Sequence, residues 1–143
     1  YLSLHVGAGT YTPVTSEDIT KHKMHAEEVV VDKELVQELL AVKQPSGKVV
    51  AVGTTTLRAL EATFLDSRPE FKGSTDLFIY PGFQFKVVDY LLTNFHQPKS
   101  SLLMLVAAFI GLENLQKIYA EAIEMQYRFL SYGDAMLLER NDL

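Results

Sequence analysis

Apolar and polar positions alternate from the first residues of the chain. Leu2, Leu4 and Val6 interleave with Ser3 and His5, the two-residue period of a half-buried strand, and the pattern stops at Gly7-Ala8-Gly9. Thr15 stands three residues before Asp18, a variant capping box that predicts a short helix. Residues 28–31 read as a second strand. From Asp32 the period lengthens: Leu35, Val36, Leu39 and Leu40 share one helical face until Gln44-Pro45-Ser46-Gly47 breaks it. Val49-Val50-Ala51-Val52 is a continuous apolar run, as in a strand covered on both faces. Gly53-Thr54-Thr55-Thr56 then turns into a helix carrying Leu57, Leu60 and Phe64. Residues 67–74, with Pro69 and Gly73, predict a flexible loop; residues 77–79 predict a short strand closed by Tyr80-Pro81-Gly82; residues 85–95 read mostly as strand. Pro98 to Ser101 open an apolar helix that ends at Gly111, and Leu115, Ile118, Tyr119, Ala122 and Ile123 mark an amphipathic one. Residues 129–132 and 135–138 read as closing strands around Gly133-Asp134. Strands alternating with helices predict an α/β fold, with no internal repeat.

Composition narrows the function classes. At 143 residues, 48% apolar and 22% charged, the chain fits about one globular domain and excludes disordered, collagen-like and low-complexity proteins. The apolar run 102–111 is too short for a bilayer span of about 20 residues, so no membrane partner is expected. The absence of cysteine excludes disulfides, thiolate metal sites and cysteine nucleophiles, and fits a cytoplasmic location. Thirteen basic against eighteen acidic residues give 13 − 18 = −5, which excludes nucleic-acid binding by bulk charge; RNA binding is then either local, with Arg58, Lys86, Lys99 and Arg128 as a candidate basic strip, or carried by residues outside this chain. The chain starts inside a strand pattern without Met, so a piece of a longer protein is expected.

Four constellations carry candidate chemistry. His22 and His25 with Glu27 offer two imidazoles and a carboxylate. However, helical zinc sites use i, i+4 spacing and no third ligand is assured, so ordinary polar roles are favoured and no metal is assigned. Gly7 and Gly9 lack the third glycine of a dinucleotide fingerprint but suit a loop that approaches a ligand closely. Thr54, Thr55 and Arg58 follow a strand and open a helix, where backbone N–H groups bind anions; the threonines serve equally well as helix caps. Asn94, Phe95 and His96 end another strand with a donor, an aromatic ring and a titratable group, and such a histidine is either chemical or structural.

Together these segments resemble one family. Leu4-His5-Val6-Gly7-Ala8-Gly9-Thr10, Met24-His25-Ala26-Glu27, Val52-Gly53-Thr54-Thr55 with Arg58, and Thr75-Asp76-Leu77-Phe78-Ile79-Tyr80-Pro81-Gly82 are similar in order to the S-adenosylmethionine:tRNA ribosyltransferase-isomerases. So are Leu92-Thr93-Asn94-Phe95-His96 with Pro98 and Ser100, and Tyr127-Arg128-Phe129 with Ser131-Tyr132-Gly133-Asp134-Ala135-Met136.

The resemblance implies a barrel-like catalytic α/β domain, of which residues 1–143 are the C-terminal part. It implies that the N-terminal segment and most of a β-rich domain are missing from this chain. It implies transfer and isomerisation of the ribosyl unit of S-adenosylmethionine onto 7-aminomethyl-7-deazaguanine in tRNA. The products are epoxyqueuosine-tRNA, adenine and methionine. S-Adenosylmethionine is then a substrate, and no permanently bound cofactor is expected. In the family's proposed route a proton leaves the carbon beside the sulfonium, adenine departs, the aminomethyl nitrogen attacks the ribosyl carbon, and an oxyanion closes the epoxide as methionine leaves. Candidate proton-transfer or charged groups are His5, His25, Glu27, His96 and Asp134. Candidate substrate contacts are Gly7, Gly9, Thr54, Thr55, Arg58, Tyr80, Asn94, Phe95 and Tyr132. The family implies a monomer; this chain alone is expected to be inactive and prone to self-association. The alternatives are a tRNA-binding piece without catalysis and a metal-dependent hydrolase built on His22, His25 and Glu27.

Overall fold

The computed structural model describes residues 2–7, 19, 22, 24–44, 46–65 and 69–141. In chain order these form β1 (Leu2–His5), β2 (Glu27–Val31), α1 (Lys33–Val42), β3 (Val50–Val52), α2 (Thr54–Leu65), β4 (Phe71–Thr75), β5 (Tyr90–Asn94), α3 (Ser101–Ile110), α4 (Leu112–Glu124) and β6 (Ala135–Glu139). The predicted capping box at Thr15 and Asp18 lies outside the described residues. The α/β alternation holds, but the described strands form two separate three-stranded sheets and close no barrel. One is antiparallel in the order β1-β2-β4; the other has the order β3-β5-β6, with β3 parallel and β6 antiparallel to β5.

Helix α2 joins the two halves. It is buried from Leu57 to Thr63, because Ala59 packs into the small cluster of Val29, Val31, Val36 and Phe71 while Leu57 and Leu60 face the main core. That main core is built from Ala51, Leu91, Met136 and Leu138 on one face of the second sheet, with Leu105, Val106 and Phe109 of α3 and Leu115 and Ala122 of α4. Among the described residues no single helix is long and apolar enough to cross a membrane, and α3 and α4 bend by 113° at Gly111, whose φ of +82° is a glycine conformation.

Several expectations from periodicity are corrected by where the backbone hydrogen bonds go. The expected loop at residues 67–74 is strand from Phe71, since β4 pairs with β2 along its whole length despite Gly73. Residues 85–89 are not strand: the fully buried carboxylate of Glu61 takes the N–H groups of Lys86, Val87 and Val88 at 2.7, 3.1 and 2.9 Å, leaving none of the three for a ladder. Asp89 works similarly at the entry to β5, accepting the Val49 N–H at 2.9 Å and pairing with Lys43 and Arg140. Residues 77–79 run without a ladder, with Ile79 in the core. Residues 129–132 form a turn, pinned by Leu130 N–H to the Phe95 carbonyl at 3.1 Å and holding Leu130 at φ +68°. In α1 only Val36 is fully buried, and Leu40 is exposed. Val50 and Val52 point to an exposed side of the second sheet, so β3 is covered on one face only within this chain.

Candidate functional site

At the C-terminal ends of β3 and β5 the chain opens into a cleft of about 480 Å³, lined by Gly53, Thr54, Thr55, Thr93, Asn94, Phe95, His96, Gln97, Ser100, Leu102, Leu130 and Ser131. Ligands of open α/β sheets bind at this end of parallel strands. Local sequence explains the shape. Gly53 leaves β3 at φ +90°, donates its N–H to the Leu92 carbonyl at 2.8 Å and turns the chain into α2 without a capping side chain. Across the cleft, Ser100 caps α3 by accepting the Leu103 N–H at 3.1 Å. Two helix N-termini thus border one cleft, a positive electrostatic setting for a negatively charged group.

The far wall is a hydrogen-bonded and aromatic scaffold. Phe95 is buried between Tyr119, Tyr127 and Phe129, with ring centroids 5.5, 5.8 and 5.0 Å away. The His96 N–H donates to the Tyr119 hydroxyl at 2.8 Å, and His96 Nε2 lies 3.1 Å from Thr93 Oγ1. Burial pushes the imidazole down to about 4 and pushes the Tyr119 phenol up, so both are neutral at pH 7. Asn94 Nδ2 donates to the Asp134 carbonyl at 3.1 Å, tying the end of β5 to the turn that carries Leu130 and Ser131.

Of the residues singled out by sequence, Thr54, Thr55, Asn94, Phe95 and His96 therefore meet in one cleft. The others are elsewhere. Arg58 sits behind the threonines, lining a crevice of about 10 Å³, and its guanidinium is paired with the buried carboxylate of Glu27. Desolvation lowers the Arg58 pKa, the cost the partner offsets. The same Glu27 carboxylate accepts the Gly7 N–H at 2.9 Å, so Gly7, Glu27 and Arg58 form one seam between the first sheet and α2. Asp134 is turned away into a pair with Arg128, taking its backbone N–H at 2.7 Å and its guanidinium at 2.9 Å; Arg128 thereby holds the carboxyl below its ordinary range. Tyr132 is fully exposed, Tyr80 stacks against Phe78 beside a separate groove, and His5 and His25 are exposed. Gly9 lies outside the described residues. His22 packs its ring against Phe78, and among the described residues no three metal-ligating side chains gather.

Sequence reasoning gave no role to Thr93, Glu61 or Asp89, although all three lie inside segments that carry the family resemblance. Leu130 carried no signal at all, because no glycine marks its left-handed backbone.

The Queuosine biosynthesis protein family matches residues 1–138. The S-adenosylmethionine:tRNA ribosyltransferase-isomerase of Polynucleobacter asymbioticus is 56% identical over 139 residues, which are 97% of this chain and 39% of that protein. The enzyme of the same name from Azoarcus sp. is 53% identical over 144 residues, 99% of this chain and 41% of its own. The crystal structure of an S-adenosylmethionine tRNA ribosyltransferase from Thermotoga maritima aligns with a TM-score of 0.74 at 53% identity, covering 78% of this chain and 40% of that one. This chain thus spans about two-fifths of the length of the curated relatives it matches.

Proposed function

Since the chain belongs to the Queuosine biosynthesis protein family, we propose that the full-length protein transfers and isomerises the ribosyl unit of S-adenosylmethionine onto 7-aminomethyl-7-deazaguanine in tRNA, in the cytoplasm, and that the cleft at the ends of β3 and β5 holds the S-adenosylmethionine. The observation that carries this reading is the convergence of two helix N-termini, a neutral histidine and the Asn94 end of β5 on one cleft of about 480 Å³. A zwitterionic substrate with a methionine carboxylate, sugar hydroxyls and a purine asks for those groups.

In this reading the backbone N–H groups at Thr54 and Thr55, with the Thr55 hydroxyl, receive the methionine carboxylate. His96 works in its neutral form. With its pKa pushed down to about 4 it is a weak base at pH 7, suited to a hydrogen bond with a ribosyl hydroxyl or purine nitrogen. The cation of Arg58 is already paired with Glu27, which makes it part of the wall rather than the clamp. Proton abstraction beside the sulfonium, adenine departure and attack by the aminomethyl nitrogen then follow the route the family resemblance implies. The metal-dependent hydrolase reading is disfavoured because the Glu27 carboxylate is engaged by Arg58 and Gly7.

The test is to titrate the full-length protein with S-adenosylmethionine by calorimetry and then add tRNA bearing the precursor base, following free adenine. Saturable binding and tRNA-dependent adenine release are expected. Absence of both in a folded protein contradicts the proposal.

A further inference from the structure

The hydrogen bonds around His96 are unevenly shared between its two ring nitrogens. Tyr119 grips the backbone: its hydroxyl accepts the His96 N–H at 2.8 Å and lies 3.4 Å from the His96 carbonyl. Phe95 anchors the preceding position between the rings of Tyr119 and Phe129. The imidazole is left with one bond, Nε2 to Thr93 Oγ1 at 3.1 Å, and among the described residues no group pairs with Nδ1. His96 lines the cleft, so Nδ1 is the nitrogen available to whatever fills it. Thr93 is only 6% exposed, and among the described residues its hydroxyl has no second bonding partner. That asymmetry decides where the protons sit. With hydrogen on Nε2, the Thr93 hydroxyl would accept it and bury its own proton without an acceptor, which costs more than an unused lone pair. With the hydroxyl donating, its proton and the Nε2 lone pair are satisfied together. The bond made by one ring nitrogen sets which of the two carries the hydrogen.

We propose that Thr93 is a positioning residue: its hydroxyl donates to His96 Nε2, holds the imidazole with its hydrogen on Nδ1, and so presents a neutral N–H to an acceptor atom of the substrate. The inference rests on the reading of the cleft as the S-adenosylmethionine site and gives the hydrogen bond there a direction. The acceptors that S-adenosylmethionine offers a ring N–H are its ribosyl oxygens and purine nitrogens. An N–H set against a purine nitrogen stabilises the charge that gathers there as adenine departs. With Nε2 occupied and Nδ1 protonated, neither ring nitrogen has a free lone pair for the proton beside the sulfonium. The base of that first step is therefore another group. Burial keeps the ring neutral at pH 7, which leaves the choice between its two tautomers for Thr93 to settle. Free histidine favours hydrogen on Nε2, so hydrogen on Nδ1 is a signature of the Thr93 contact.

The test is a long-range proton–nitrogen correlation spectrum of the full-length protein carrying isotope-labelled histidine, at pH 7 and without substrate, so it stands apart from the proposed activity. The His96 signals are identified by their absence from His96→Gln. In wild type, Nδ1 should resonate as a protonated nitrogen and Nε2 as an unprotonated one. Thr93→Val keeps the branched shape but removes the hydroxyl, and should return His96 to the Nε2–H form or to a mixture. Thr93→Ser keeps the hydroxyl and should keep the wild-type pattern. In turnover, Thr93→Val should lower kcat/KM about 10-fold, the worth of one hydrogen bond, and Thr93→Ser should recover most of that loss. An Nε2–H form in wild type overturns the proposal whether or not the variants fold, as does an Nδ1–H form that persists in Thr93→Val. Titration with S-adenosylmethionine separates this inference from the reading it rests on. Saturable binding should shift the Nδ1 signal, and binding that leaves it unmoved overturns the donor role. Absence of binding with the Nδ1–H form present upholds the part played by Thr93 and contradicts the proposed function instead.

Discussion

Two polar regions that look alike in sequence do opposite things in the fold. Gly53-Thr54-Thr55 and Asn94-Phe95-His96 end neighbouring parallel strands and turn their polar groups toward one open cleft. Glu27 and Arg58, and likewise Arg128 and Asp134, carry full charges, yet each spends its charge on the other. The first region brings two helix N-termini and a neutral, desolvated imidazole to the wall of one cleft. The second region has no unspent charge to offer a substrate, and what it supplies is position. A charged residue in a family signature is therefore not a reacting group until its partners have been counted.

The largest effect is expected from breaking the buried pair. Glu27→Ala leaves the Arg58 guanidinium buried without its carboxylate and removes the acceptor of the Gly7 N–H, which costs about 3–5 kcal/mol in a denaturant titration of the full-length protein. Replacing both residues with apolar ones of similar size, as in Glu27→Leu with Arg58→Met, should recover most of that loss, because the desolvation penalty disappears with the charges. A Glu27→Ala variant as stable as wild type would move Glu27 out of the scaffold.

A smaller effect separates the cleft by pH. His96 has a folded-state pKa of about 4 against an ordinary 6.5, so between these values the unfolded chain binds more protons than the folded one. Stability contributed by keeping the imidazole neutral is fully present above about pH 6.5 and is lost as pH falls toward 4. His96→Gln should flatten the stability profile across that window, which thermal melts at several pH values would read. An unchanged slope would place the imidazole in water.

The smallest effect is expected at the exposed pair. Arg128 lowers the Asp134 pKa, so the pair's contribution is present above the ordinary carboxylate range and is lost as pH falls through the lowered value. The pair is solvent-screened, so Asp134→Asn should shift the melting midpoint by no more than about 2 °C. A large shift would show that the turn at residues 128–134 is a structural keystone rather than a local tie.

The legibility of the molecule follows the same division. Elements with a clean period were readable: the alternation of β1, the apolar run of α3 up to Gly111, and the Gly-Thr turn after β3 all stand where spacing put them. The unreadable elements are those whose backbone bonds are settled by distant partners. Nothing near residues 85–89 reveals that Glu61, 25 to 27 positions away, takes three of their N–H groups. Nothing near Gly73 reveals that β2 pairs with it. For the candidate cleft, strand ends and turns pointed to Thr54, Thr55, Asn94, Phe95 and His96, which line it together, but residue chemistry alone ranked Glu27 and Asp134 beside them. Their partners, Arg58 and Arg128, are known only once the fold brings them together.

One measurement bears most directly on this division between cleft and scaffold. Adenine release from S-adenosylmethionine, with precursor-bearing tRNA and the full-length protein at a temperature where every variant is folded, should be followed for His96→Gln and Asp134→Asn side by side. Loss of a positioned hydrogen-bonding group in the cleft should lower turnover about 10²-fold in His96→Gln, while Asp134→Asn stays within a few-fold of wild type. The reverse order, with Asp134→Asn inactive and His96→Gln unaffected, would contradict the account.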